Sequence, residues 1–339
     1  YKEIVDRDNF VTAEKVKNAF LGLEFRQQTL MTTYAQWIAN YEKQVEGGLK
    51  APKTLHKYKS VYKHVDDFLR FHYHVSDMAL KEIEPSFISD FEIYLKTEKH
   101  LAHNTVNIYV KPIMMLMHRA HENGWVGRYP FGEYKIGKAE VDKGFLTKNE
   151  LQAMMNLPIQ NPQRCLVRDL FIFCCFTGIS YIDLKNLRKE NIVKNPVDGS
   201  LWIHTHRQKT GVAENVKLMP LPLEILKKYD GLCEDDHVFA VPNFTSISSR
   251  LNTVAKLCGI KKHLTWHMSR HTMATVVCLA NGMPLEVVSS VLGHKSIEST
   301  QIYARITQEK LGCEIDTLAS KLSKIEQFVP NLGGVIYNK

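Results

Sequence analysis

The sequence predicts a mainly α-helical chain with a small β-hairpin or sheet, built as a helical bundle followed by a mixed α/β domain. Three observations predict this. Residues 29–124 carry four apolar stripes at helical spacing. Residues 126–144 are interrupted by Gly127, Pro130, Gly132, Gly137 and Gly144, and a helix-start signal follows. Residues 201–221 break the helical periodicity with a strand–turn–strand pattern.

The first helix is read from Leu30, Tyr34, Trp37, Ile38, Tyr41 and Val45, and Gly47-Gly48 ends it. Thr54 can cap a second helix that buries Leu55, Tyr58, Tyr62, Val65 and Leu69. That helix also carries Lys53, Lys57, Lys59 and Lys63, either as a solvated face or as one that tracks phosphates. Pro85 suits the first position of a third helix, with Phe87, Phe91 and Leu95 inward. A fourth starts near Asn104 or Thr105 and stops at Gly124, with Pro112 inside it. This bundle, residues 28–130, holds no acid–base pair, no metal spacing and no glycine-rich phosphate loop.

Residues 131–144 read as a linker, and Thr147-Lys148-Asn149-Glu150 as a capping box that opens the second domain, residues 145–339. A buried helix spans Cys165 to Phe176 and leads into Thr177-Gly178-Ile179-Ser180. Leu201 to Arg207 and Asn215 to Leu221 are the two strands, with Lys209-Thr210-Gly211 as turn residues. Helices are expected at about 222–229, 245–257 and 265–281, the last broken by Gly282 and Pro284. Ser296 can cap the helix that carries Tyr303, and Leu311, Ile315, Leu318, Leu322 and Ile325 stripe an amphipathic tail.

The formal net charge of +8 is mostly in the second half: residues 1–150 hold 22 basic and 20 acidic side chains, the remainder 22 and 16. That is a mild sign of an anionic partner. The seven cysteines form no Cys-x-x-Cys, a usage expected of reduced, structural thiols in a cytoplasmic protein. No apolar run has the ~18 residues of a membrane span. The first residue is Tyr, so the chain is expected to be a fragment, with residues 1–27 a linker or the end of a preceding module.

The chemistry concentrates between His267 and Tyr303. The pattern is His267-Met268-Ser269-Arg270, then Leu292-Gly293-His294, then Tyr303 nine residues after that histidine. A guanidinium can hold a phosphate by two parallel hydrogen bonds. Two imidazoles can bond to it and share its protons, and a phenol beside them can attack it. His263, His267 and His271 are spaced by four, as zinc ligands can be, but no His-Glu-x-x-His or neighbouring Cys completes a site, so no metal is expected.

Over roughly residues 28–310 these motifs resemble the tyrosine recombinase, or phage-integrase-type, family. The resemblance implies a DNA core-binding bundle, a preceding arm-binding module, and a catalytic domain that clamps duplex DNA. It implies Tyr303 as nucleophile, Arg270 as phosphate clamp, His267 and His294 as proton handlers, and Lys209 at the hairpin tip as general acid. It implies a 3′-phosphotyrosyl intermediate, no cofactor, tetramer assembly on DNA in the bacterial nucleoid, and room for accessory DNA-bending or directionality proteins.

One family position departs. The first motif reads Thr-Gly-x-Arg-x-x-Glu/Asp-Leu; here Thr177-Gly178 and Asp183-Leu184 fit, and the arginine position is Ser180. Removing one good oxyanion donor costs roughly 3–4 kcal/mol. Three explanations stand: another arginine substitutes, Arg168 first and Arg207 second, as in mobile-element integrases lacking the first arginine; Ser180 is an introduced change; or catalysis is lost. A non-catalytic DNA-binding protein and a topoisomerase-like enzyme that relaxes DNA by the same tyrosine chemistry remain the alternatives.

Overall fold

The structure is a computed structural model that describes residues 28–303, apart from 140, 142, 209, 210, 234 and 295, together with 312 and 315–321. It divides into two compact units, with the boundary between Val141 and Asp142.

Among the described residues, the first unit is a four-helix bundle: α1 (Leu30–Glu46), α2 (Pro52–Phe68), α3 (Ser86–Thr97) and α4 (His103–Glu122). Phe68 is its centre, with the rings of Phe87, Phe91 and Tyr94 each 5.2 or 5.3 Å from it. α2 starts earlier than Thr54 suggests. Pro52 takes the first helical position, where its missing N–H costs nothing, and Ala51 is the N-cap. α2 then widens into a π-helical turn, Leu69–Tyr73, closed by His74 at φ 56°. α4 carries Pro112 inside it, buried.

Residues 131–139 differ from the expected linker. Phe131 is buried in the bundle core, and Tyr134 and Ile136 pack against it. Asn107 and His103 bond to the Gly137 carbonyl, and Asn104 bonds to Ala139 in both directions. Glycines marked this stretch as loop, but its aromatic side chains enter the bundle core and its backbone is bonded to α4.

The second unit comprises α5 (Lys148–Asn156), α6 (Pro162–Thr177), α7 (Tyr181–Lys185), strands β1 (Ile192–Lys194), β2 (Leu201–His206) and β3 (Ala213–Lys217), then α8 (Pro220–Tyr229), α9 (Phe244–Leu257), α10 (His267–Thr272), α11 (Leu285–Val291) and α12 (Glu298–Gln301). The capping box of Thr147 and Glu150 starts α5. α6 is the central rod. Asn161 caps its start, Pro162 takes its first position, and Gly178 in the left-handed region at φ 73° ends it. Its Leu170–Cys175 run is buried all round, as an apolar helix without a polar face must be. Each large apolar side chain there contributes roughly 1.5–3 kcal/mol.

The strands form an antiparallel sheet in the order β1-β2-β3, with Ile203 opposite Val216 and Thr205 opposite Glu214. β2 stops at His206 because Arg207 already belongs to the turn: its N–H bonds to Val212 O at 2.8 Å, and its carbonyl accepts from Gly211. β3 stops at Lys217, short of Leu221, because Pro220 opens α8. The expected single helix over 265–281 is instead α10, a π-helical turn over Met273–Cys278 and a 3₁₀ turn over Leu279–Asn281. Ser296 Oγ accepts from Glu298 N at 3.2 Å, although Ile297 holds the cap position of α12. Of the tail stripe, Ile315 and Leu318 are exposed on a helical piece; Leu311, Leu322 and Ile325 lie outside the described residues. No helix among the described residues is long and apolar enough to cross a membrane.

Candidate active site

Arg270 is at the centre of the second unit, 1 % exposed. α10 carries it, and that helix is fixed by Thr272, whose hydroxyl donates to Met268 O and accepts from Leu146 N. The guanidinium gathers three distant segments. Nη1 donates to Gly178 O at 2.6 Å and to Glu214 Oε1 at 3.0 Å, and Nη2 donates to the Leu292 carbonyl. The end of α6, strand β3 and the Leu292-Gly293-His294 turn therefore meet on one side chain. Gly178 is required twice over: its φ is left-handed, and a Cβ there would be 2.9 Å from Leu292 Cδ2.

Tyr303 lies just past α12, 4 % exposed, packed with Met273, Cys278, Val288 and Leu292. The His271 ring meets it edge-on at 4.8 Å, and the His294 ring stacks at 6.1 Å and 13°. Burial raises the Tyr303 phenol above its ordinary pKa, while Arg270 and Arg207 pull the other way. His267 lies edge-on to His271 at 4.7 Å, on the solvent side of the cluster. Crowding by protein atoms lowers His267 to about 3, helped by positive charge from His271, Lys143, Arg270 and Arg207. His294 is lowered to about 4, by burial first and then by Arg270, Arg207 and His271. Its Nδ1 is 2.8 Å from the buried Thr300 hydroxyl. Both imidazoles are thus neutral at neutral pH.

Arg207, in the hairpin turn, is half-buried, and its guanidinium makes no hydrogen bond among the described residues. Burial and then the nearby Arg270 lower its pKa; Glu214, Asp183 and Tyr303 act in the opposite direction. Arg207 is therefore electrostatically part of the Arg270–Tyr303 cluster.

Two sequence profiles match the chain: the Phage integrase SAM-like domain over residues 29–136 and the Phage integrase family over residues 144–310. The chain belongs to the phage integrase family. A tyrosine recombinase of Pseudothermotoga lettingae is 26 % identical over 175 residues, 49 % of this chain but only 57 % of that protein. The tyrosine recombinase XerC of Oceanobacillus iheyensis is 24 % identical over 283 residues, 77 % of this chain and 88 % of its own length. In fold, the chain is similar to a lambda integrase dimer bound to a core site (TM-score 0.62, 20 % identity, covering 81 % of this chain and 95 % of that one). It is similar also to the Tn1549 transposon integrase in complex with circular intermediate DNA (TM-score 0.65, 14 % identity, 85 % and 99 %).

In this integrase-family chain, Arg270, His267, His294, Tyr303 and Arg207 are brought together. Arg168 is not, which corrects the first choice of a substituting arginine. Its Nε donates to Asp169 at 2.8 Å, Nη1 to the Leu157 carbonyl, and Nη2 to Cys165 Sγ at 3.4 Å. Asp169 is also held by Lys228 and Tyr229, so Arg168 is committed to a buried ion cluster. The chain does turn back at Gly178, but Arg168 lies on α6 well before that turn.

Ser180 caps α7. Its hydroxyl donates to Asp183 Oδ2 at 2.6 Å, and Asp183 Oδ1 accepts from Gln208 N at 2.9 Å. Lys209 lies outside the described residues. At about 100° per residue the four α2 lysines fall within an arc of about 160° on the side away from the buried stripe, Lys53 and Lys57 at one edge and Lys59 and Lys63 at the other. Lys57 covers the Tyr58 ring at 4.7 Å, and Lys59 pairs with Glu42 at 2.7 Å. His263 precedes α10, so it falls off the helical face of His267 and His271.

Sequence reasoning missed Glu214, His271 and Asp183 as members of the cluster. Asp183 and His271 had a signal, the first in its motif and the second in its spacing from His267; Glu214 had none.

Proposed function

We propose that this chain is a site-specific DNA recombinase, the integrase of a mobile element, which cuts and rejoins duplex DNA through a 3′-phosphotyrosyl intermediate. One observation carries the reading: Tyr303 is ringed by His271 and His294 within reach of two guanidiniums, those of Arg270 and Arg207. A phenol beside two cations and neutral imidazoles is a nucleophile beside a phosphate site.

Tyr303 Oη attacks the scissile phosphorus and the bond to the 5′-oxygen breaks. The tyrosyl proton passes to an imidazole of His267 or His294. Both are poor bases on their own, but an arriving phosphodiester adds negative charge and raises them. Lys209 gives the 5′-oxygen its proton. A 5′-hydroxyl from a partner strand then reverses the step, which conserves the bond energy without a nucleotide cofactor. Arg207 supplies the second guanidinium that the family pattern has at the position of Ser180.

The integrase branch is supported by similarity in fold to the Tn1549 transposon integrase, and assembly as a tetramer by the lambda integrase tetramer bound to a Holliday junction, also similar in fold (TM-score 0.64). Accessory DNA-bending or directionality proteins would act on that assembly. The test is a nicked suicide duplex incubated with the chain and with Tyr303→Phe. The wild type is expected to form a denaturant-resistant protein–DNA adduct, and the variant to bind DNA within a few-fold and form none. DNA binding without any wild-type adduct would leave the non-catalytic reading.

A further inference from the structure

We infer that Glu214 is a positioning residue for strand cleavage: it holds the Arg270 guanidinium in the plane from which that group meets the phosphate. The inference rests on the recombinase reading. It starts from the pairing of the two side chains, each 1 % exposed and joined at 3.0 Å. Gly178 O and the Leu292 carbonyl are neutral acceptors, so Glu214 is the charged partner of Arg270 among the described residues. Its charge offsets part of the cost of burying the guanidinium, which is a matter of stability.

The contact does more than neutralise. Glu214 stands on β3, an inward-facing position with Val216, at the end of the hairpin whose turn holds Arg207. Its side chain also presses on the Leu292-Gly293-His294 turn. A Cβ on Gly293 would be 2.8 Å from Glu214 Cγ and 3.2 Å from its Oε1. Glycine is needed there because this carboxylate occupies the space. Glu214 thus sets the relative position of the hairpin, Arg270 and the His294 turn. The pair is joined through one oxygen only: Arg270 Nε and Glu214 Oε2 are buried without a hydrogen-bond partner among the described residues. The guanidinium is therefore anchored at Nη1 and Nη2 and keeps an uncommitted N–H.

The experiment uses the full chain and compares Glu214→Ala, Glu214→Gln and Glu214→Asp for single-turnover adduct formation, DNA affinity and Tm. The Ala variant is expected to lose about a hundredfold in adduct rate, the cost of an ångström-scale misplacement, while DNA affinity stays within a few-fold. The Gln variant keeps an oxygen that can accept from Arg270 Nη1 and should recover most of the rate. If the Ala variant does not fold, the Asp variant decides. It keeps the charge but retracts the carboxylate by one methylene, and should slow adduct formation at least about tenfold by the same argument. A folded Ala or Asp variant that cleaves at the wild-type rate, with only Tm lowered, overturns the proposal alone. So does a Gln variant as slow as the Ala variant, since charge rather than geometry would then govern. A wild-type chain that forms no adduct overturns the recombinase reading and this proposal with it.

Discussion

Ser180 and Gln208 are tied through one carboxylate: Asp183 accepts the Ser180 hydroxyl at 2.6 Å on one oxygen and the Gln208 N–H at 2.9 Å on the other. Ser180 is thus the N-cap of α7 and part of the brace on the hairpin turn. Ser180→Ala removes the cap and is expected to cost about 0.5–2 kcal/mol. Chemical denaturation of the two proteins measures it. An unchanged midpoint would mean that Asp183 holds the turn without Ser180.

The same geometry decides between the two arginines. Arg207→Ala is expected to lose at least about 2 kcal/mol of transition-state stabilisation, roughly thirtyfold in adduct rate. Arg168→Ala should cleave normally but unfold more easily, because Asp169 would lose one cation and keep Lys228, Tyr229 and the Cys165 thiol as partners. Ser180→Arg in the Arg207→Ala background should restore part of the rate. The assignment of Arg207 fails if its alanine variant cleaves like the wild type.

The contrast between those arginines shows what was legible in the sequence. The bundle helices, the Thr147 capping box and the hairpin follow from periodicity and turn chemistry, which are local. The Arg270–Tyr303 grouping follows from motif spacing. Arg168 misled because nothing in its spacing reveals that Asp169, the very next residue, would take its guanidinium. Glu214 was invisible for a related reason. A glutamate in an alternating strand reads as a solvent-facing residue, and only the three-dimensional arrangement brings a buried guanidinium opposite it. The π-helical turn after α10 has no periodic signature either.

The histidines predict an acid-sensitive fold. His267 and His294 are lowered from 6.5 to about 3 and about 4. In the unfolded chain both take up a proton below about 6.5, while the folded chain resists until much lower pH. The unfolded state then binds more protons, so stability should fall as pH drops from 6.5 toward 4 and be flat above it. Tm across that range measures it. His294→Gln, which can still bond to Thr300, should make the decline shallower; an identical slope would place the titration elsewhere.

Gly178 and Gly211 both have left-handed backbones, at φ 73° and 67°, but differ in their surroundings. Gly211→Ala meets no atom within 4 Å and should cost only the backbone penalty of about 1–2 kcal/mol. Gly178→Ala adds the clash with Leu292 and displaces a carbonyl that accepts from Arg270, so it should be less stable and also slow in adduct formation. Equal Tm losses in the two variants would contradict the tight packing around Gly178.

Arg207 and Gly211 close the hairpin turn through the bond from Gly211 N to Arg207 O at 2.8 Å, and Lys209 lies between them in sequence. An ammonium can give a proton to the leaving 5′-oxygen. Lys209→Ala is therefore expected to slow cleavage of an ordinary substrate by roughly 10²–10⁴-fold. A substrate with a 5′-bridging sulfur releases a thiolate, which needs no acid, and the variant should cleave it nearly as fast as the wild type does. Wild type and variant compared on both substrates separate chemistry from placement. If Lys209→Ala is equally slow on oxygen and sulfur, the lysine only holds the duplex, and the acid must be sought among His267, His271 and His294.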